Sequence, residues 1–269
     1  MFKDIISIHG VPRSGTTWLG QILNSSDKVR YKYQPLFSYA FKDAINVRSA
    51  KEEINEFYKK LYYYEDDFLD QKGQIAKGYS PSFKYKDENP PILMTKMVRY
   101  HYLIPQLLKN LENIKFLFIV RNPCSALNSW RNSPNEFPAD IDFNSEWRFA
   151  QNRNEFKPEE YFGFEKWKEA TKIFLEMNER YPNKVLIIKY EDLVKDPLKF
   201  IREIFEFCNL EIKEETISFL EQSRTQFHKD PYSVFKGKVD IEKWREQLDN
   251  NIAMKIYDEL KGSEFEEFL

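Results

Sequence analysis

The chain has few of the residues on which many chemistries depend. Its 269 residues include two cysteines and three histidines. Two cysteines, Cys124 and Cys208, give no disulfide framework for a chain this long, so a reducing compartment is expected. A phosphatase loop needs five residues between its Cys and Arg. Six lie between Cys124 and Arg131, and the Gly-rich turn is missing. Cys124 is therefore read as a small buried residue. No His, Cys or acidic set shows metal-ligand spacing, and no metal is expected. Long apolar runs are missing too. The start, "MFKDIISIHG", offers at most a four-residue, mostly apolar run, too short for a signal-peptide core or a bilayer span. A soluble, cytoplasmic protein without a transmembrane segment is the expectation. Nor is one charge sign in excess: 41 basic residues face 43 acidic ones, leaving no footprint for nucleic acid. No repeat or low-complexity tract is present.

What the chain does have is alternation. Short apolar segments read as buried strands begin at Ile5, Ile92, Lys115 and Lys184. Helical patterns lie between and after them, over 16–24, 104–111, 125–131, 165–180, 197–208, 213–222 and roughly 241–260. Strands alternating with helices predict an α/β fold, a parallel sheet covered on both faces. Residues 50–91 and 132–163 fit that plan poorly. They read as functional loops or lids on one domain spanning 1–269, with solvated decoration an equal reading for 50–91.

Two motifs carry chemistry. In "ISIHGVPRSGTTWLGQIL", from Ile6, a strand runs through a Gly-rich turn into an amphipathic helix. Gly10, Gly15 and Thr17 stand in register with the ATP-binding loop G-x-x-x-x-G-K-[ST], but Thr16 replaces its lysine. Backbone N–H groups at such a helix start form an anion site by geometry alone. Ser14, Thr16 and Thr17 add hydroxyls, and Arg13 is the nearest cation. The loop lysine serves the β/γ-phosphates, so its loss argues against a triphosphate. In "FLFIVRNPCSALNSW", from Phe116, a strand ends in Arg121 and Pro123 suits a first helical position. Arg121 and Ser129 then flank a second strand-to-helix crevice, and arginine grips phosphate by two parallel hydrogen bonds. Together the motifs suggest a ligand with two separate anionic ends.

Together, "PRSGTTWL" from Pro12 and R-N-P-x5-S-W from Arg121 resemble the paired phosphate sites of sulfotransferases, which use 3′-phosphoadenylyl sulfate (PAPS). "KYEDLVKDPLKFIREIFEFCNL" from Lys189, "RTQFHKDP" from Arg224 and "VFKGKVDIEKW" from Val234 resemble further family segments in the family's order. The resemblance implies a P-loop-like core of the sulfotransferase type. It implies that Ser14, Gly15, Thr16 and Thr17 hold the 5′-phosphosulfate, with Trp18 against adenine. Arg121 and Ser129, completed by Lys236 and Gly237, would hold the 3′-phosphate; Tyr190, Thr225 and Phe227 would line the adenine. Arg13 would neutralise the oxygen bridging phosphorus and sulfur, acting by hydrogen bonding, since arginine does not give up its proton. Lys96, ending the second apolar strand, would contact the sulfuryl group. The product would be adenosine 3′,5′-bisphosphate, and no metal takes part.

The family's base is missing from its usual places. Val98 stands where one branch has histidine, and Gln34 where another has glutamate. His101 is the first candidate base, Gln34 a positioning group for the acceptor, and Glu146 the next residue to consider. The expected acceptor group is a hydroxyl or an amine; "QPL" at Gln34 and "EW" at Glu146 resemble bacterial glycan-directed members, which makes a carbohydrate or glycolipid the expected acceptor. A P-loop kinase of a small metabolite and a nucleotide-binding module without catalysis are the alternatives.

Overall fold

The computed structural model describes residues 2–269. Five strands form one parallel sheet: β1 (Asp4–His9), β2 (Val29–Tyr33), β3 (Ile92–Met97), β4 (Ile114–Val120) and β5 (Val185–Lys189), in the order β2-β3-β1-β4-β5. Every pairing is parallel. Side chains alternate across each strand, so the sheet separates two cores. On one face Ile6 and Ile8 of β1 and Leu117 and Ile119 of β4 pack with the helices Thr16–Asn24, Pro197–Phe207 and Glu214–Thr225. On the other, Ile5, Leu93, Phe116 and Phe118 pack with Lys51–Tyr63, Ile104–Asn110, Pro123–Arg131 and Phe164–Arg180. The expected doubly covered α/β sheet is what the chain forms.

The connections from β1 and from β4 leave in opposite directions along the sheet. Adjacent strands with diverging connections open a crevice beyond their carboxyl ends, where ligands of such sheets bind. The Gly-rich loop and Arg121 lie there.

Three elements differ from the sequence expectation. β2 escapes an apolar pattern because its "VRYKY" carries Arg30 and Lys32. Lys32 is buried nonetheless, its Nζ donating to the Asp70 carboxylate at 2.7 Å. Residues 51–63 are not decoration: this helix buries Ile54, Phe57, Tyr58, Leu61 and Tyr62, one apolar face at i, i+3, i+4, i+7 and i+8. The helix expected over 241–260 is two, Trp244–Gln247 and Asn250–Leu260. The break falls at Asp249, whose carboxylate accepts from Asn251 N–H at 2.7 Å and starts the second helix. Residues 132–163 contribute Phe137, Phe143, Trp147, Tyr161 and Phe162 to the core. Among the described residues no helix is long and apolar enough to cross a membrane.

Candidate functional site

The turn after β1 is shaped by two glycines for different reasons. Gly10 approaches β4 so closely that a Cβ there would lie 2.6 Å from the Ile119 carbonyl. Gly15 has φ +88°, and a Cβ would meet the Tyr190 ring at 2.5 Å. Between them Arg13 also adopts a left-handed φ of 71°. Strain of this kind costs of order 1–3 kcal/mol and persists only where neighbours enforce it. Here the enforcing neighbour is Arg121, whose Nη1 donates to the Arg13 carbonyl at 2.9 Å. The turn thus delivers the N-terminus of the Thr16–Asn24 helix to the crevice.

Arg121 itself is held from several sides. Its Nε donates to Ser125 Oγ at 2.9 Å, and its guanidinium lies 4.5 Å from the Tyr190 ring centre. Its carbonyl accepts from Trp167 Nε1 at 2.9 Å. The helix that follows starts with Pro123, and the Asn122 side chain accepts from Ser125 N–H at 3.2 Å. One turn beyond Ser125, Ser129 Oγ accepts from Arg13 Nε at 3.4 Å. So Arg121 bonds to Ser125 rather than Ser129, and Ser129 faces Arg13.

Lys96, the last residue but one of β3, lies on the same face as Ile8 and Tyr33, its register partners. Its ammonium sits 4.5 Å from the Tyr33 ring centre. Burial pushes it down to about 7; Glu136 opposes the shift, while Arg99 and Arg13 add to it. Burial and the nearby Arg13 also push Lys236 down to about 8. Lys236 Nζ donates to the Asp230 carbonyl at 2.5 Å, and Gly237, with φ 62°, binds back to Ser223.

One cleft of about 1060 Å³ joins these groups. Arg13, Gly15, Thr16, Thr17, Trp18, Gln34, Lys96, Arg121, Ser129, Tyr190, Phe227, Lys236 and Gly237 all line it. Trp18 is oriented by its Nε1 bond to Ser223 Oγ at 3.0 Å. Gln34 has φ 43°, and its Oε1 accepts from Arg99 Nη1 at 3.1 Å, with Arg99 paired to Glu160 at 2.8 Å.

Four sequence candidates are not brought to the cleft. Ser14 is fully buried; its N–H bonds to the Val11 carbonyl at 3.2 Å and its Oγ has no protein partner. Thr225 is exposed and bonds back to the Glu221 carbonyl at 2.8 Å. His101 is the substantive correction. It is fully buried on the opposite face of the sheet, between His9, Tyr161 and Phe174. Its Nδ1 lies 3.0 Å from His9 Nδ1, and burial holds it well below the ordinary histidine range. His9 is held at about 3 for the same reason. A group that resists protonation and does not reach the cleft is not placed to take the acceptor's proton. Glu146 is no substitute, since its carboxylate accepts from Asn152 N–H and Nδ2, each at 3.0 Å. Cys124 is buried, as expected, its thiol pushed up to about 12. Sequence reasoning misses Glu136, Tyr33 and Tyr232, all of which line the cleft; none lies in a recognisable motif.

Comparison with known proteins gives these features a family. A family model described as the Sulfotransferase family matches residues 5–214. Sulfotransferase 1A1 of Rattus norvegicus is 25% identical over 252 residues, 94% of this chain and 75% of the relative. Mouse sulfotransferase SULT7A1, solved in complex with PAP, aligns over 98% of this chain and 86% of its own at 16% identity and a TM-score of 0.58. The sulfotransferase domain of the Synechococcus PCC 7002 olefin synthase aligns over 95% of this chain and 94% of its own, at 15% identity and a TM-score of 0.54. At such identities the two structures speak for the fold. With the family match over most of its length, the chain belongs to the sulfotransferase family, a family of PAPS-dependent transferases.

Proposed function

We propose that the protein transfers a sulfuryl group from PAPS to a hydroxyl of a carbohydrate or glycolipid acceptor. The carrying observation is the single cleft that joins the Gly-rich turn, Arg121 and Lys96. It brings a helix N-terminus and the cations Arg13, Arg121 and Lys236 together without an ATP-type lysine, which supports two anion-binding ends. In this reading Gly15, Thr16 and Thr17 hold the 5′-phosphosulfate at the helix N-terminus. Arg121, Ser129, Lys236 and Gly237 hold the 3′-phosphate, and Trp18, Tyr190 and Phe227 line the adenine. Lys96 contacts the sulfuryl group. Arg13 neutralises charge growing on the bridging oxygen as the bond from that oxygen to sulfur breaks, a differential interaction that speeds the step.

Other residues of the lining support the acceptor class. Tyr33 and Phe68 stand edge to face there, ring centres 5.4 Å apart, beside the amides Gln34, Gln71 and Gln74. Aromatic faces offer apolar area to the C–H faces of a sugar ring, and amides read hydroxyls. In this reading Gln34 positions the acceptor. The test is an acceptor screen with radiolabelled PAPS on lysate fractions. Label should enter a glycan or glycolipid fraction. Label confined to proteins or phenols would overturn the carbohydrate reading. Failure of the purified protein to form adenosine 3′,5′-bisphosphate under any condition would overturn the transfer itself.

A further inference from the structure

The geometry points to Glu136 as the group that takes the acceptor's proton, an inference that rests on the transfer reading above. A hydroxyl that gains a sulfuryl group loses its proton, and His101, Gln34 and Glu146 are each unsuited. Two other acids are also poorly placed. Asp67 is exposed and lies 3.4 Å from Lys72. The Asp240 carboxylate accepts from the Glu242 N–H at 2.9 Å on the nucleotide side.

Glu136 differs from all of these. It lines the cleft together with Lys96, Tyr33 and Gln34. Its Oε2 is screened from solvent yet accepts no hydrogen bond from the protein. The nearest cation, Arg13 Nε, stands 4.0 Å away, beyond hydrogen-bond reach. A buried carboxylate oxygen without a donor is costly, and such groups in folded proteins call for a reason.

The backbone beneath it is fixed. Glu136 N–H donates to the Ser133 carbonyl at 2.9 Å, and Trp130 Nε1 donates to the Glu136 carbonyl at 3.1 Å. Ser133 Oγ in turn donates to the Ser129 carbonyl at 2.8 Å. Trp130 packs edge-on against Phe137, ring centres 5.1 Å apart. The helix that carries Ser125 and Ser129 therefore also sets the position of Glu136. A free carboxylate on a rigid support is what a proton acceptor requires.

In the transfer, the acceptor oxygen forms a bond to sulfur while the bond from sulfur to the bridging phosphate oxygen breaks. The electron pair of the broken bond leaves on the phosphate of adenosine 3′,5′-bisphosphate. The acceptor's proton passes to the Glu136 carboxylate and then to solvent. The charged or titratable groups facing Glu136 are Arg13 from the Gly-rich turn, Lys96 from β3, Tyr33 from β2 and Tyr232 from the C-terminal segment.

The experiment uses the full chain in excess over PAPS, with water as the acceptor probe, and follows formation of adenosine 3′,5′-bisphosphate. Glu136→Gln should slow it about 10²- to 10⁴-fold, the usual worth of general base assistance. The same variant should bind adenosine 3′,5′-bisphosphate as tightly as the parent or tighter, since an anion has left a site for anions. Sodium formate should restore part of the rate to Glu136→Ala. An unchanged rate in Glu136→Gln would overturn the assignment. So would loss of nucleotide affinity without formate rescue, which would make Glu136 a structural counterion of Arg13. If the parent itself fails to bind adenosine 3′,5′-bisphosphate, the donor reading has failed instead.

Discussion

Alanine at position 121 should lower affinity for adenosine 3′,5′-bisphosphate by about 10²- to 10⁴-fold, because hydrogen bonds to a charged group are worth about 1.5–3 kcal/mol each and at least two are lost. Affinity for adenosine 5′-phosphate should fall far less, since that ligand lacks the 3′ group. Two of the guanidinium nitrogens are already committed, Nε to Ser125 and Nη1 to the Arg13 carbonyl, and the ring of Tyr190 lies alongside. That fixed geometry suits a planar fork, so Arg121→Lys should also bind weakly. Calorimetry with both ligands separates two roles of this residue. Selective loss places Arg121 on the 3′-phosphate. Equal losses would mean that it acts through the Arg13 carbonyl, by shaping the Gly-rich turn.

Lys96→Met should slow the chemical step by about 10²- to 10³-fold, the scale seen when one preorganised donor is removed from a developing charge. Affinity for adenosine 3′,5′-bisphosphate, which has no sulfuryl group, should change only a few-fold. Burial sets the pH dependence. The free site holds Lys96 at about 7, so its charge is lost as pH rises through that value. Because kcat/KM reports groups of the free enzyme, kcat/KM for PAPS should fall above about pH 7. Lys96→Arg should flatten that limb, since arginine stays protonated. Stability should move in the opposite sense. Between about 7 and the ordinary lysine value of 10.5 the unfolded chain holds the proton that the folded chain has released. The unfolded state then binds more protons, so stability rises with pH across that window, and Lys96→Met should remove the slope. A pH-independent kcat/KM in the parent would place a different group at the sulfuryl end.

Much of this site is legible in the amino-acid sequence alone. The Gly-rich turn is a local device: Gly10, Gly15 and the helix start at Thr16 are set by backbone geometry that short-range sequence encodes. Arg121 and Lys96 are also readable, because the ends of apolar strands in a parallel sheet converge on one edge. What sequence hides is side-chain direction and long-range pairing. His101 sits close to Lys96 in sequence, yet β3 alternation and the turn at Tyr100, φ 61°, send it to the opposite core. Glu136 lies in a stretch without periodicity, and only its bonds to Trp130 and Ser133 place it in the cleft. The helix at 51–63 is concealed by its own charges, although Ile54, Phe57, Tyr58, Leu61 and Tyr62 carry a helical spacing once tyrosine is counted as apolar. Lys32 masks β2 in the same way, through a half-buried ion pair with Asp70 that no local pattern announces.

The central claim is that this cleft is built for a nucleotide with phosphate at both the 5′ and the 3′ position. Isothermal titration of the purified chain with adenosine 3′,5′-bisphosphate, in the presence of a chelator, and separately with ATP and magnesium, tests it most directly. Tight, metal-independent binding of the bisphosphate, at least about 100-fold stronger than ATP–magnesium and so worth about 2.7 kcal/mol or more, is the predicted result. Preferential binding of ATP–magnesium would contradict it.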